Sequence, residues 1–106
     1  MTGYVLSPDA EQDLTEIWDY IAADSVAAAD RWIAKLFDAF GSLAQYPNLG
    51  HKREDLTRHV VLFWPVGSYL IIYRIGPSTL QTSTLQIVAV TQGSRDIPAF
   101  LNQRFS

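Results

Sequence analysis

Cysteine is absent from this chain of 106 residues. That excludes a disulfide framework, a thiolate metal site and a thiol nucleophile. Long apolar runs are missing too, none approaching the ~20 residues that span a bilayer. Met1-Thr2-Gly3-Tyr4 is not a basic stretch leading into an apolar one, so no secretory signal is expected and the cytoplasm is the expected location. Histidine is scarce. His51 and His59 lie too far apart for a helical zinc pair, and no metal or cofactor is expected. No glycine-rich phosphate loop, nucleophile elbow, internal repeat or low-complexity segment occurs.

What remains is a hydrophobic fraction of 48%, too high for a disordered chain. The length suits one domain over residues 1–106 and is too short for two. The formal net charge is −3, which argues against direct nucleic-acid binding by the molecule as a whole. The charge is unevenly placed. Asp9, Glu11, Asp13, Glu16, Asp19, Asp24, Asp30 and Asp38 crowd the first part. Lys52, Arg53, Arg58, Arg74, Arg95 and Arg104 follow, with His51 and His59 among them. One face of an acidic protein is therefore expected to be locally basic, unless the acids are simply solvated helix faces.

Tyr4-Val5-Leu6 reads as a short strand. Ser7-Pro8-Asp9 then carries a helix start: a capping hydroxyl, a proline suited to the first helical position, and an acid at the positive end of the dipole. Ala10, Leu14, Ile17, Trp18 and Ile21 share one helical face, which leaves Asp13, Glu16 and Asp19 for the polar side. Asp24-Ser25 breaks this helix and caps a second. There Ala29, Trp32, Ile33, Leu36, Phe37, Phe40, Leu43 and Ala44 form a stripe with period close to 3.6. Gly41 inside it marks an expected close approach, and Pro47-Asn48-Leu49-Gly50 ends it.

After a polar loop over 51–57, strands are expected at 60–64, 69–74 and 85–90. Pro65 is placed at a strand end because it cannot donate to a ladder. A turn begins at Gly76-Pro77-Ser78-Thr79 and continues through residues 81–84. Pro98-Ala99-Phe100-Leu101 reads as a short helix or an extended tail. The order β-α-α-β-β-β predicts an α+β domain, a helical hairpin packed on one face of a mostly antiparallel sheet.

Ser7 and Ser25 look like caps and not nucleophiles. The candidate site residues are basic and aromatic: Arg53, Arg58, Tyr69, Tyr73, Arg74, Arg95 and Arg104, with Asp96 beside Arg95. Tyr69 and Tyr73, four apart in a strand, point to one face with Ile71, and Leu70 and Ile72 take the other. Two readings stay open for the tyrosines. They are core-edge residues with hydroxyls bonded at the rim, or contact residues for a macromolecular partner. Arg95 and Asp96 either anchor the C-terminal segment by ion pairing or meet a target.

Leu6-Ser7-Pro8, Ala10, Asp13-Leu14 and Ile17-Trp18-Asp19-Tyr20-Ile21 resemble the opening helix of ParE-type toxins. Leu43-Ala44 with Pro47-Asn48-Leu49-Gly50, then Tyr69-Leu70-Ile71-Ile72-Tyr73-Arg74, and Val88-x-Val90 with Gly93-x-Arg95-Asp96 continue the resemblance over positions 4 to 96. The order and spacing are those of the ParE/RelE superfamily of toxin–antitoxin modules, which includes plasmid-stabilisation systems.

The resemblance implies two possible activities. RelE-like members cleave messenger RNA on the ribosome with arginines and often a tyrosine. This chain has Leu70 and Leu101 where such ribonucleases carry an arginine and that tyrosine. Arg95 remains, and on that branch Arg53, Arg58 and Arg95 would bind phosphates. ParE-like members poison DNA gyrase by protein–protein contact and need no catalytic set. The resemblance thus implies a non-enzymatic toxin with two partners, DNA gyrase and a cognate antitoxin that wraps it with a helix and an extended segment. Relatives commonly have histidine where this chain has Gln92. An inactive relative kept as a binding module is a third reading.

Overall fold

A computed structural model describes residues 3–76 and 84–105 of the chain. Strand β1 (Gly3–Leu6) leads through Ser7 into α1 (Pro8–Ala22). The Ser7 hydroxyl accepts from the Ala10 amide at 3.0 Å, as the sequence predicted for a cap. Ser25 does the same for Ala28 at the start of α2 (Val26–Gln45). Strands β2 (Leu62–Val66), β3 (Tyr69–Ile75) and β4 (Thr84–Gln92) follow, then helix α3 (Ile97–Arg104). The sheet order is β1-β4-β3-β2, parallel between β1 and β4 and antiparallel elsewhere.

The α1–α2 hairpin covers one face of this sheet. Leu36, Phe40 and Leu43 from α2 meet Tyr69, Ile71, Tyr73, Leu85 and Ile87, all buried. The other face is not bare. Helix α3 and the segment before β2 cover it, with Ile97 and Leu101 packed on Val61, Phe63, Ile72, Val88 and Ala89. The helical reading of Pro98–Leu101 holds, and Asp96 supplies the cap by accepting from the Ala99 amide at 3.2 Å.

Three expectations need correction. The strand predicted at 60–64 lies at 62–66, so Pro65 is inside it. It is tolerated because β2 is an edge strand. Leu62, Trp64 and Val66 turn their backbone toward β3, which leaves Pro65, with no N–H, on the outer side. Gly41 marks no close approach: a side chain there would meet nothing within 4 Å. The turn expected from Gly76 through Thr84 ends earlier, since Thr84 begins β4, and its residues 77–83 lie outside the described residues.

Gly67 and Ser68 join β2 to β3. Gly67 has φ of +58° and Ser68 does not share the positive φ, the pattern of a type II′ hairpin turn. The six-membered end of the Trp32 ring lies 2.5 Å from where a Cβ on Gly67 would stand, so the turn packs directly on α2.

In β4 the register with β3 slips by one residue. Ile72 pairs with Ala89 and Tyr73 with Ile87, leaving Val88 as the extra residue of a β-bulge. Ile87 and Val88 therefore both turn carbonyls toward β1. The Ser7 amide donates to Ile87 and the Ser7 hydroxyl to Val88.

Candidate functional site

Helix α1 turns away from the sheet at Ser7, so β1 pairs only with residues 84–87 of the longer β4. The uncovered edge of β4 still needs partners, because buried backbone groups left unpaired are costly. Side chains supply them. Asp13 Oδ2 accepts from the Val90 amide at 3.0 Å. Arg104 Nη1 donates to the Val88 carbonyl at 3.0 Å and to Asp13 Oδ2 at 3.1 Å, while Nη2 donates to Asp13 Oδ1 at 2.9 Å. Arg104 also lies over the Phe100 ring. One buried ion pair thus continues the sheet where β1 stops and ties α1, β4 and α3 together.

This overturns the expectation for Asp13. It is not a solvated residue of the polar helix side but is only 9% exposed. It also removes Arg104 from the candidate contact residues, since its guanidinium is held by Asp13 and Val88 within the fold.

The tyrosines resolve toward the core. Tyr73 is 0% exposed. Its hydroxyl accepts from the Gly50 amide at 2.8 Å and donates to the Pro47 carbonyl at 2.7 Å. It pins the Pro47–Gly50 turn to the sheet and offers nothing to a partner. Burial pushes its phenol above the ordinary value, with the Gly50 hydrogen bond pulling the other way. Tyr69 is buried against Trp32 in an edge-on ring contact. Its phenol is raised by burial first and then by the nearby Tyr20.

The remaining candidates form no single cluster: Arg53 and Arg58 line one loop cavity, while Arg74 lies elsewhere on the sheet and Arg95 and Asp96 lie at the start of α3. Arg53 forms a bidentate pair with Asp55 at 2.9 and 2.8 Å. That pairing raises the guanidinium and holds the Asp55 carboxyl below the usual range. Arg74 donates to Gln86 at 2.6 Å on the α3 side of the sheet. Arg95 stacks on Phe100 at 4.9 Å. Asp96 is the α3 cap, so this neighbour pair anchors the C-terminal segment by capping and ring contact and not by the ion pair expected. Arg58 is exposed in the loop before β2. Leu70 and Leu101 lie together in the apolar cluster under α3, Leu101 fully buried. Among the described residues no group of histidines and acids could hold a metal ion, and no helix is long and apolar enough to cross a membrane.

Two further features were not legible in the sequence. The first is an open apolar groove between β1, α1 and α2, lined by Leu6, Leu14, Trp18, Ile33 and Phe37 with Glu11 at its rim. Trp18 Nε1 donates to Asp30 across the hairpin at 2.9 Å, and Phe37 is 38% exposed. The second is the difference between the two sheet edges. On β2 the Phe63 amide and carbonyl are already paired with His51 at 2.8 and 2.9 Å, and Pro65 has no donor. That edge is closed to a further strand. On β1, Ser7 and Val5 face β4, so Tyr4 and Leu6 turn their backbone groups outward. Among the described residues nothing pairs with that edge, which borders the groove through Leu6.

A family model described as the ParE toxin of type II toxin–antitoxin systems, parDE, matches residues 4–97. Toxin RelE3 of Caulobacter vibrioides is 28% identical over 80 residues, covering 76% of this chain and 87% of that protein. Among solved structures, a chain of the chromosomal ParDE toxin–antitoxin system from P. aeruginosa superposes with a TM-score of 0.70 at 18% identity, covering 87% of this chain and 96% of that one. A chain of the RelBE2 toxin–antitoxin complex from Mycobacterium tuberculosis gives a TM-score of 0.60 at 22% identity, covering 86% and 96%.

Proposed function

The chain belongs to the family of ParE toxins of type II toxin–antitoxin systems, and from that premise we propose that it acts without breaking a bond, by gripping DNA gyrase. The observation that carries this reading is the chemistry under α3. The positions at which the ribonuclease branch would hold an arginine and a tyrosine are Leu70 and Leu101, packed with Ile72, Val88 and Ile97. Cleaving RNA requires a cation for the developing phosphorane and a positioned proton carrier. Here Arg95 lies against Phe100 and outside that apolar cluster, which supplies neither group at the two leucine positions.

Purified toxin should inhibit gyrase supercoiling and accumulate cleaved DNA. Normal supercoiling in the presence of excess toxin would refute the gyrase assignment. Codon-positioned cuts in translated messages, lost on Arg95→Ala, would establish the ribonuclease branch in its place. Failure to arrest growth when produced without antitoxin would favour an inactive binding module.

Neutralisation is proposed to use the groove and the open edge together. An antitoxin would lay the apolar side of an amphipathic helix on Leu14, Trp18, Ile33 and Phe37 and add an extended segment along Tyr4–Leu6. Glu11 and Asp30 beside the groove favour basic residues at that helix's margin. Phe37→Glu should weaken the complex, whereas His51→Ala, on the closed edge, should not.

A further inference from the structure

The charges divide between the two halves of the chain. Residues 1–50, which form β1 and the hairpin, hold eight acids against Arg31 and Lys35 alone. Residues 51–106 hold six bases against Glu54, Asp55 and Asp96. Within the second group one surface is concave. The loop between His51 and β2 encloses a cavity of about 370 Å³ lined by Lys52, Arg53, Glu54, Arg58, His59 and Val60, among others.

The side chains there are not equivalent. Arg53 is held by Asp55. Lys52 and Arg58 are exposed and form no ion pair or hydrogen bond among the described residues. In a chain with more acids than bases, two unpaired cations share one concavity. Val60 lines the same cavity and is 82% exposed. Thr57 and His59 shape the wall: the His59 amide donates to Thr57 Oγ1 at 3.1 Å, and the His59 ring lies 4.1 Å from that of Phe105.

We propose that this loop is a docking site for a short acidic segment of a protein partner, with Lys52 and Arg58 meeting carboxylates and Val60 meeting an adjoining apolar side chain. Three observations select an acidic peptide over a nucleic acid. The molecule is negative overall and strongly so on its hairpin, which opposes approach to a long polyanion. Glu54 stands on the cavity wall, where it limits the site to a few anionic groups. The exposed valine has a use against a peptide side chain and none against a phosphate backbone. The site lies on the α3 side of the sheet, away from the groove between α1 and α2, so both surfaces can be occupied at once.

The test is binding of a fluorescein-labelled peptide of alternating glutamate and leucine to the full chain, followed by anisotropy. Binding should weaken as salt rises. Lys52→Glu and Arg58→Glu should each weaken it about tenfold, and Arg31→Glu, an equal charge change on the hairpin, should leave it within about twofold. All three positions are exposed, and thermal melts check that the fold is kept. Equal weakening by Arg31→Glu would reduce the effect to net charge and overturn the proposal. So would no binding, or tighter binding of a single-stranded RNA or duplex DNA oligonucleotide, which would assign the loop to nucleic acid. The measurement involves no topoisomerase, so its outcome is independent of the supercoiling assay.

Discussion

Replacing Arg104 with methionine tests the side-chain continuation of the sheet most directly. The substitution keeps an apolar stem over Phe100 and removes the charge. It leaves the Asp13 carboxylate, whose side chain is 11% exposed, with the Val90 amide as its remaining partner. It also takes the Arg104 hydrogen bond from the Val88 carbonyl. Breaking a buried pair from one side costs about 3–5 kcal/mol. Slight solvent access on both sides puts the expected loss at about 3 kcal/mol, or on the order of 15 °C in Tm for a domain of this size. Asp13→Asn keeps an acceptor for Val90 and gives up the charge, so about 2 kcal/mol is expected. In the double variant the stranded charge is gone. The two effects should therefore fall short of additivity by about 2 kcal/mol. Urea denaturation of the four proteins measures this coupling. Strict additivity, or a loss below about 0.5 kcal/mol for Arg104→Met, would show that the pair does not carry the edge of β4.

Tyr69 and Tyr73 have phenols raised above their ordinary value of 10.0 by burial. Their stabilisation is whole below that value and is lost as pH rises through the raised folded-state values, so urea midpoints should fall on the alkaline side. Tyr73→Phe should remove part of that alkaline loss and cost about 1–2 kcal/mol at neutral pH by orphaning the Gly50 amide. The two glycines of the α2 neighbourhood should respond with opposite signs. Gly41→Ala, in open space within a helix, should stabilise by about 0.5–1 kcal/mol, while Gly67→Ala should lose at least about 1 kcal/mol from its positive φ and its contact with Trp32. Thermal melts separate the two. Arg53→Ala, which breaks the exposed pair with Asp55, should leave stability within about 0.5 kcal/mol.

Local signals were sufficient wherever the physics is local. The caps at Ser7 and Ser25 depend on a hydroxyl and the next turn of amides. The long stripe of α2 depends on helical period, and the alternation of Tyr69, Ile71 and Tyr73 depends on pleat. These gave the element order and the hairpin's place on one face of the sheet without any tertiary information; that α3 covers the other face came from the structure. Asp13 shows what a fuller reading would have caught. It lies three residues after Ala10 and four before Ile17, on the apolar side of α1. Its acidity argued for solvent, and its spacing argued for burial.

The sequence by itself determined the elements, their order along the chain and a membership visible in motifs from Leu6 to Asp96, because each rests on signals between residues near one another in the chain. Only the tertiary structure decided what Asp13 and Arg104, ninety-one positions apart, do for each other. It alone closed the β2 edge through His51, left the β1 edge without a partner among the described residues, and gathered Lys52, Arg58 and Val60 into one concavity on the α3 side of the sheet. Those outcomes depend on which backbone groups a short first strand leaves unpaired and on which side chains lie near enough to meet them, and neither quantity is carried by periodicity or composition.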